Sequence, residues 1–107
     1  MNSDNRINQY TGKPYSNSEL ISMTNISPNK TNGRKYNGQD KIDVITIHCI
    51  AGQKSAERIG EIFSKTSRKA SCNYGIGHDG KIIMCVEEKD RSWCTSTRAN
   101  DYRAITF

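Results

Sequence analysis

Nine consecutive residues, Ile42-Asp43-Val44-Ile45-Thr46-Ile47-His48-Cys49-Ile50, leave this chain little choice of local structure. β-Branched side chains dominate the run; they crowd a helix and suit a pleated strand. Ile42, Val44, Thr46, His48 and Ile50 share one face, and Ile45, Ile47 and Cys49 share the other. Apolar residues of both parities predict a strand in the middle of a sheet covered on both sides. Ala51-Gly52 then breaks it.

The rest of the 107-residue chain allows one small domain. Only nine residues of the apolar and aromatic set fall in residues 1–40, against twenty-seven in 41–107. The first stretch also holds sixteen Asn, Ser or Thr. It reads as a polar lead-in of loop or tail that buries too little apolar surface to offset its ordering entropy. The folded part is expected from about Ser18 or Ile42, with residues 41–107 as the domain portion. Sixteen Lys and Arg against eleven Asp and Glu give a net charge of +5. Mean hydropathy is −0.79, and no apolar run approaches the ~20 residues of a membrane span. No secretory signal follows Met1-Asn2-Ser3.

Ser55 can cap a helix running to about Lys65, with Ala56, Ile59, Ile62 and Phe63 on one face. Asn73–Gly77 and Lys81–Val86 flank Asp79-Gly80, a hairpin signal that makes His78 a solvated turn residue. Glu87-Glu88-Lys89-Asp90-Arg91 reads as a solvated charge run. Arg103–Phe107 begins another strand, and a domain that stops inside a strand reads as missing its C-terminal part. The order predicts an α/β fold with a mixed sheet and at least one covering helix.

Cys49, Cys72, Cys85 and Cys94 contain no C-x-x-C pair and read as small buried hydrophobes. His48, near the end of the first strand, is either a hydrogen-bonded core histidine or a metal ligand held by a rigid strand. One histidine does not separate the two. Strand alternation turns Cys49 away from the His48 face, so the two are not expected to share one ion.

Four segments together resemble a known family: Ile45–Gly52, Ser71-Cys72-Asn73-Tyr74-Gly75-Ile76-Gly77-His78-Asp79-Gly80-Lys81-Ile82, Arg91-Ser92-Trp93-Cys94, and Ala99-Asn100-Asp101-Tyr102-Arg103-Ala104-Ile105-Thr106-Phe107. They resemble the zinc-dependent N-acetylmuramoyl-L-alanine amidases, the type-2 family of phage endolysins and bacterial autolysins related to peptidoglycan-recognition proteins. Ser27–Asn32 resembles the lead-in of clostridial and phage members. The resemblance spans roughly residues 18–107.

It implies a central mixed sheet flanked by helices and cleavage of the amide between N-acetylmuramic acid and L-alanine. It implies Zn2+ as cofactor, His48 as the first zinc ligand and Tyr74 as the active-site tyrosine. Trp93 and Asn100 are the implied substrate-binding residues, and peptidoglycan is the partner. The family's second histidine and its Cys or Asp ligand match nothing in this sequence. The chain is therefore expected to be incomplete at its C-terminus, impaired as an enzyme, and to expose an apolar sheet face unless a second polypeptide supplies the rest. Storage in the cytoplasm until holin-dependent release or lysis is the expected localisation. The alternative is a non-catalytic peptidoglycan-binding module. Nucleic-acid binding is not expected, because no aromatic-interleaved basic patch, helix-turn-helix signal or zinc finger is present.

Overall fold

The computed structural model describes residues 6–50 and 52–107; Met1–Asn5 of the lead-in and Ala51 of the expected strand break lie outside the described residues. In chain order the elements are β1 (Ile7–Asn8), β2 (Lys13–Pro14), β3 (Met23–Thr24), β4 (Lys30–Thr31), β5 (Val44–Thr46) and α1 (Ala56–Phe63). A single 3-10 turn at Thr66–Arg68 follows, then β6 (Tyr74–Ile76), β7 (Ile82–Met84), β8 (Arg91–Ser92), α2 (Arg98–Arg103) and β9 (Ala104–Thr106). No helix among the described residues is long and apolar enough to cross a membrane.

The α/β character is present, but the strands form several small sheets. β6 and β7 make the expected antiparallel hairpin, with Tyr74 opposite Met84 and Gly75 opposite Ile83. β3 adds to β7 in parallel, so that sheet is mixed. β5 and β9 pair in parallel, Val44 opposite Ala104. β4 with β8 and β1 with β2 are two-residue antiparallel pairs. Between β9 and the hairpin, side chains do the work of a ladder. The Asn73 N–H donates to Thr106 Oγ1 at 3.0 Å, and Thr106 N–H donates to Asn73 Oδ1 at 3.1 Å.

Pleat alternation sorts the core into two parts. On one face of the hairpin, Ile83 and Cys85 pack against Ala56, Ile59 and Phe63 of α1. On the other, Tyr74 and Met84 pack with Ile105. The helix starts where the sequence indicates: Ser55 accepts the Arg58 N–H at 3.1 Å, and Glu57 lies in the first turn beside the positive end of the helix dipole. It stops at Phe63, two residues short of Lys65, with Ser64 as its C-cap.

Four expectations need correction. The Ile42–Ile50 run is a strand only over Val44–Thr46, and it is not covered on both faces: Ile45 is 72% and Ile47 81% exposed. Among the described strands β5 pairs with β9 alone, and no layer covers the side on which Ile45 and Ile47 stand. The lead-in is not a tail. Its residues from Arg6 onward supply four strands, and Arg34 and Ser27 are each only 1% exposed. The 13.1 Å radius of gyration is that of a fully compact chain of this length. The run Glu87–Arg91 is not solvated throughout, because Asp90 is buried, accepting the Gly33 N–H at 2.8 Å and pairing with Lys30 and Lys89. Of the cysteines, Cys72 and Cys85 are buried as expected, Cys94 is half-buried, and Cys49 is exposed.

Candidate functional site

A cavity of about 330 Å³ opens where the segment following β5 meets α1 and the β6–β7 hairpin. Its floor is apolar, from Ile50, Ile59, Phe63, Cys72 and Phe107, and its rim carries His48, Lys54 and His78. A second hollow of about 180 Å³ shares His48, Cys49, Ile50, Phe63 and Cys94, and extends to Arg68, Ser71 and Trp93.

His48 is exposed at the lip of both. Its backbone N–H donates to the Phe107 carbonyl at 2.9 Å, which fixes the main chain there although the strand has already ended. Because regular alternation stops at Thr46, Cys49 is not turned away as expected but lines the same cavity as His48.

His78, set aside as a turn residue, is exposed at the hairpin tip and also faces this cavity. Close packing brings it there. The His78 N–H donates to the Lys54 carbonyl at 2.9 Å. A Cβ on Gly77 would lie 2.3 Å from the Ala56 nitrogen, so only glycine lets the hairpin approach the start of α1 this closely. The Gly-Ile-Gly spacing around Ile76 is the signal that could have pointed to this contact.

Trp93 borders the smaller hollow together with His48 and is anchored by its Nε1–H to Thr31 Oγ1 at 3.0 Å. Asn100 sits on α2 and exchanges a hydrogen bond with the Thr46 hydroxyl at 3.1 Å; it lines neither hollow. Tyr74 is 3% exposed and also lines neither. Its hydroxyl donates to Glu88 Oε2 and accepts the Ser18 N–H at 2.7 Å. Burial and the Glu88 carboxylate both push this phenol well above its ordinary pKa. Burial also raises Glu88, against the pull of Tyr74 and Arg34. Tyr74 is connected to the cavity through Phe107, whose ring centroid is 5.9 Å from its own. Sequence thus brings His48 and Trp93 to one place, and leaves Tyr74 and Asn100 apart from it.

A catalytic zinc site needs three protein ligands and an open position. Among the described residues no group of three or more His, Cys, Asp and Glu side chains is arranged to hold a metal ion. Three thiols line the cavity, Cys49, Cys72 and Cys94; contact with Cys85 together with burial raises Cys72, and burial raises Cys94. The donor set present does not fit a complete zinc centre.

Against known proteins, the family model of N-acetylmuramoyl-L-alanine amidase matches residues 38–106, more than half of the chain and the whole stretch from the lead-in to β9. No curated protein and no solved structure matches the chain. That span contains His48, the hairpin, Trp93 and both helices, and on it the chain belongs to the N-acetylmuramoyl-L-alanine amidase family.

Proposed function

We propose that this chain acts on peptidoglycan, hydrolysing the amide that joins N-acetylmuramic acid to L-alanine, with the cleft at His48 as the place where that bond is held. One observation carries the reading: an exposed imidazole stands at the lip of an apolar-floored cavity, inside the span matched by the amidase family. We further assign the β5–β9 pair and the β3–β7–β6 sheet to one mixed sheet of the amidase fold, flanked by α1 and α2.

The chain's own groups suit such a substrate. Trp93 beside the smaller hollow offers an aromatic surface for a sugar or the peptide stem. Lys54 and Arg68 put positive charge at the two rims, complementary to stem-peptide carboxylates. Zinc in this family supplies an activated water and a Lewis acid for the carbonyl. His48 is the residue of this chain that we assign as a ligand, and the described residues do not complete the set. Tyr74 keeps an assigned role near the scissile bond only if its hydroxyl leaves Glu88 and Ser18.

The incomplete donor set favours a second reading, a peptidoglycan-binding module without catalysis. One experiment separates them. Purified peptidoglycan is incubated with the chain and with His48→Ala, with zinc supplied, and released stem peptides are identified by mass spectrometry. Release of peptides with a free L-alanine amino terminus, lost in the variant, establishes the amidase. Co-sedimentation with peptidoglycan without release establishes the binding module. Neither release nor co-sedimentation overturns both.

A further inference from the structure

The sequence contains no basic segment interleaved with aromatics, yet the fold assembles one from distant residues. Arg98 at the start of α2 lies over the Tyr36 ring, its Cζ 5.6 Å from the centroid. Tyr36 stacks on Tyr102, with centroids 4.9 Å apart and planes 15° from parallel. Arg91 of β8 lies over Tyr102 at 4.8 Å. The result is one contiguous row of contacts, Arg98 to Tyr36 to Tyr102 to Arg91.

The two guanidiniums lie over tyrosine rings and keep their charge uncompensated. Neither makes an ion pair among the described residues. The nearby carboxylates are turned inward. Asp90 is buried against Lys30, Lys89 and the Gly33 N–H, and Asp101 is buried against the Thr95 hydroxyl and the N–H groups of Cys94 and Thr95. Arg91 spends one N–H on Thr31 Oγ1 at 3.1 Å and its Nε is buried, whereas Arg98 is exposed. Guanidiniums set over rings, with no counter-charge paired to them among the described residues, fit oxyanions.

We propose that this stack docks a phosphodiester polymer of the bacterial wall. The proposal rests on the wall-directed reading above and adds a second ligand to it. Thr31 Oγ1 accepts from both Arg91 and the Trp93 indole, and Trp93 borders the hollow that His48 also lines. A polymer seated on Arg91 therefore lies next to the cleft. Nucleic acid also offers phosphodiesters, but its bases need open ring faces. Here each tyrosine ring is already stacked on the other and carries a guanidinium as well, which leaves little ring surface for a base. A polymer without bases needs only the cations.

The test uses the full chain, the exposed-site variant Arg98→Gln, and the double variant Arg91→Gln/Arg98→Gln. The probes are Gram-positive walls carrying poly(alditol phosphate), the same walls stripped of it with hydrofluoric acid, and a single-stranded oligonucleotide. For intact walls the double variant binds about tenfold more weakly and Arg98→Gln about threefold, and the log–log salt slope falls in magnitude by roughly 1 to 2. Stripping brings the wild type down to the level of the double variant. Unchanged affinity of Arg98→Gln for intact walls overturns the proposal, as does undiminished wild-type binding to stripped walls. Tighter binding to the oligonucleotide than to intact walls overturns it in favour of nucleic acid. Stem-peptide release from stripped peptidoglycan is read in parallel: its absence alongside polymer binding overturns the hydrolase and leaves this docking surface standing.

Discussion

Replacing Arg34 with methionine removes a buried side chain that makes five hydrogen bonds. Arg34 is 1% exposed. Its Nη1 donates to the carbonyls of Asp101, Tyr102 and Ala104 at 3.2, 3.1 and 2.9 Å. Its Nε donates to the Glu88 carbonyl and its Nη2 to Asn73 Oδ1. The guanidinium thus satisfies the end of α2 and ties it to the segment after β7 and to the start of the hairpin. Burial pulls its pKa down to about 10, so it stays charged at neutral pH. Methionine fills similar space but leaves buried acceptors unpaired, at about 1–3 kcal/mol for each one that water does not reach. Taking the Asp101 and Ala104 carbonyls as the two that water does not reach, the loss is about 2–6 kcal/mol. Small domains hold roughly 5–15 kcal/mol in total. At ~4–8 °C per kcal/mol, the midpoint should fall by at least ~8 °C. Lysine keeps the charge and three donors but not the fork, and should fall between methionine and the wild type. Thermal melts by circular dichroism, with urea unfolding followed through the lone Trp93, measure both variants. A methionine variant melting within ~3 °C of the wild type would refute the reasoning.

Asp43 accepts two hydrogen bonds from Arg103, at 2.7 and 2.6 Å, and this pairing holds its carboxyl down at about 2. A depressed acid stabilises the fold above its unfolded pKa and loses that contribution as pH drops through the folded value. Asp43→Asn should therefore lower the melting temperature at pH 6 and not at pH 2, and added salt should shrink the difference. Gly77→Ala places a methyl against the backbone of Ser55 and Ala56, at 2.9 and 2.3 Å from their nearest atoms. It should destabilise by about 1–3 kcal/mol in urea titrations and shift the His78 imidazole NMR signals. Tyr74→Phe deletes a hydroxyl bonded to Glu88 and to the Ser18 N–H, and should cost about 1–2 kcal/mol whether or not activity changes.

Local chemistry made α1 and the hairpin legible. A serine cap, apolar residues at helical spacing and an Asp-Gly turn each act within a few residues of one another, and each landed where expected. His48 and Trp93, far apart in sequence, line one hollow. The failures have a different cause. Whether Ile45 and Ile47 are covered depends on what layer packs on that face of β5, and alternation along one strand is blind to the layers above it. Asp90 was read with its charged neighbours in sequence, whereas its partners Lys30 and Gly33 lie far along the chain. Arg34 looked like any other basic residue of a polar segment. One cue within that segment was visible: Asn37-Gly38, both with positive φ, closes a turn between Tyr36 and Gln39 and so sets Tyr36 against Tyr102.

Asn73 has a consequence for how the molecule comes apart. The hairpin and the β5–β9 pair are each held by regular main-chain pairing, but the polar link between them is the Asn73 amide and the Thr106 hydroxyl, beside the apolar contact of Tyr74 and Met84 with Ile105. Side chains rivet this junction, where a continuous sheet would have a welded seam. Thermal openings should concentrate there, so amide protons of β5 exchange with solvent well before those of β6 and β7. A one-atom edit at position 73 sets how far the two halves part while each keeps its own shape.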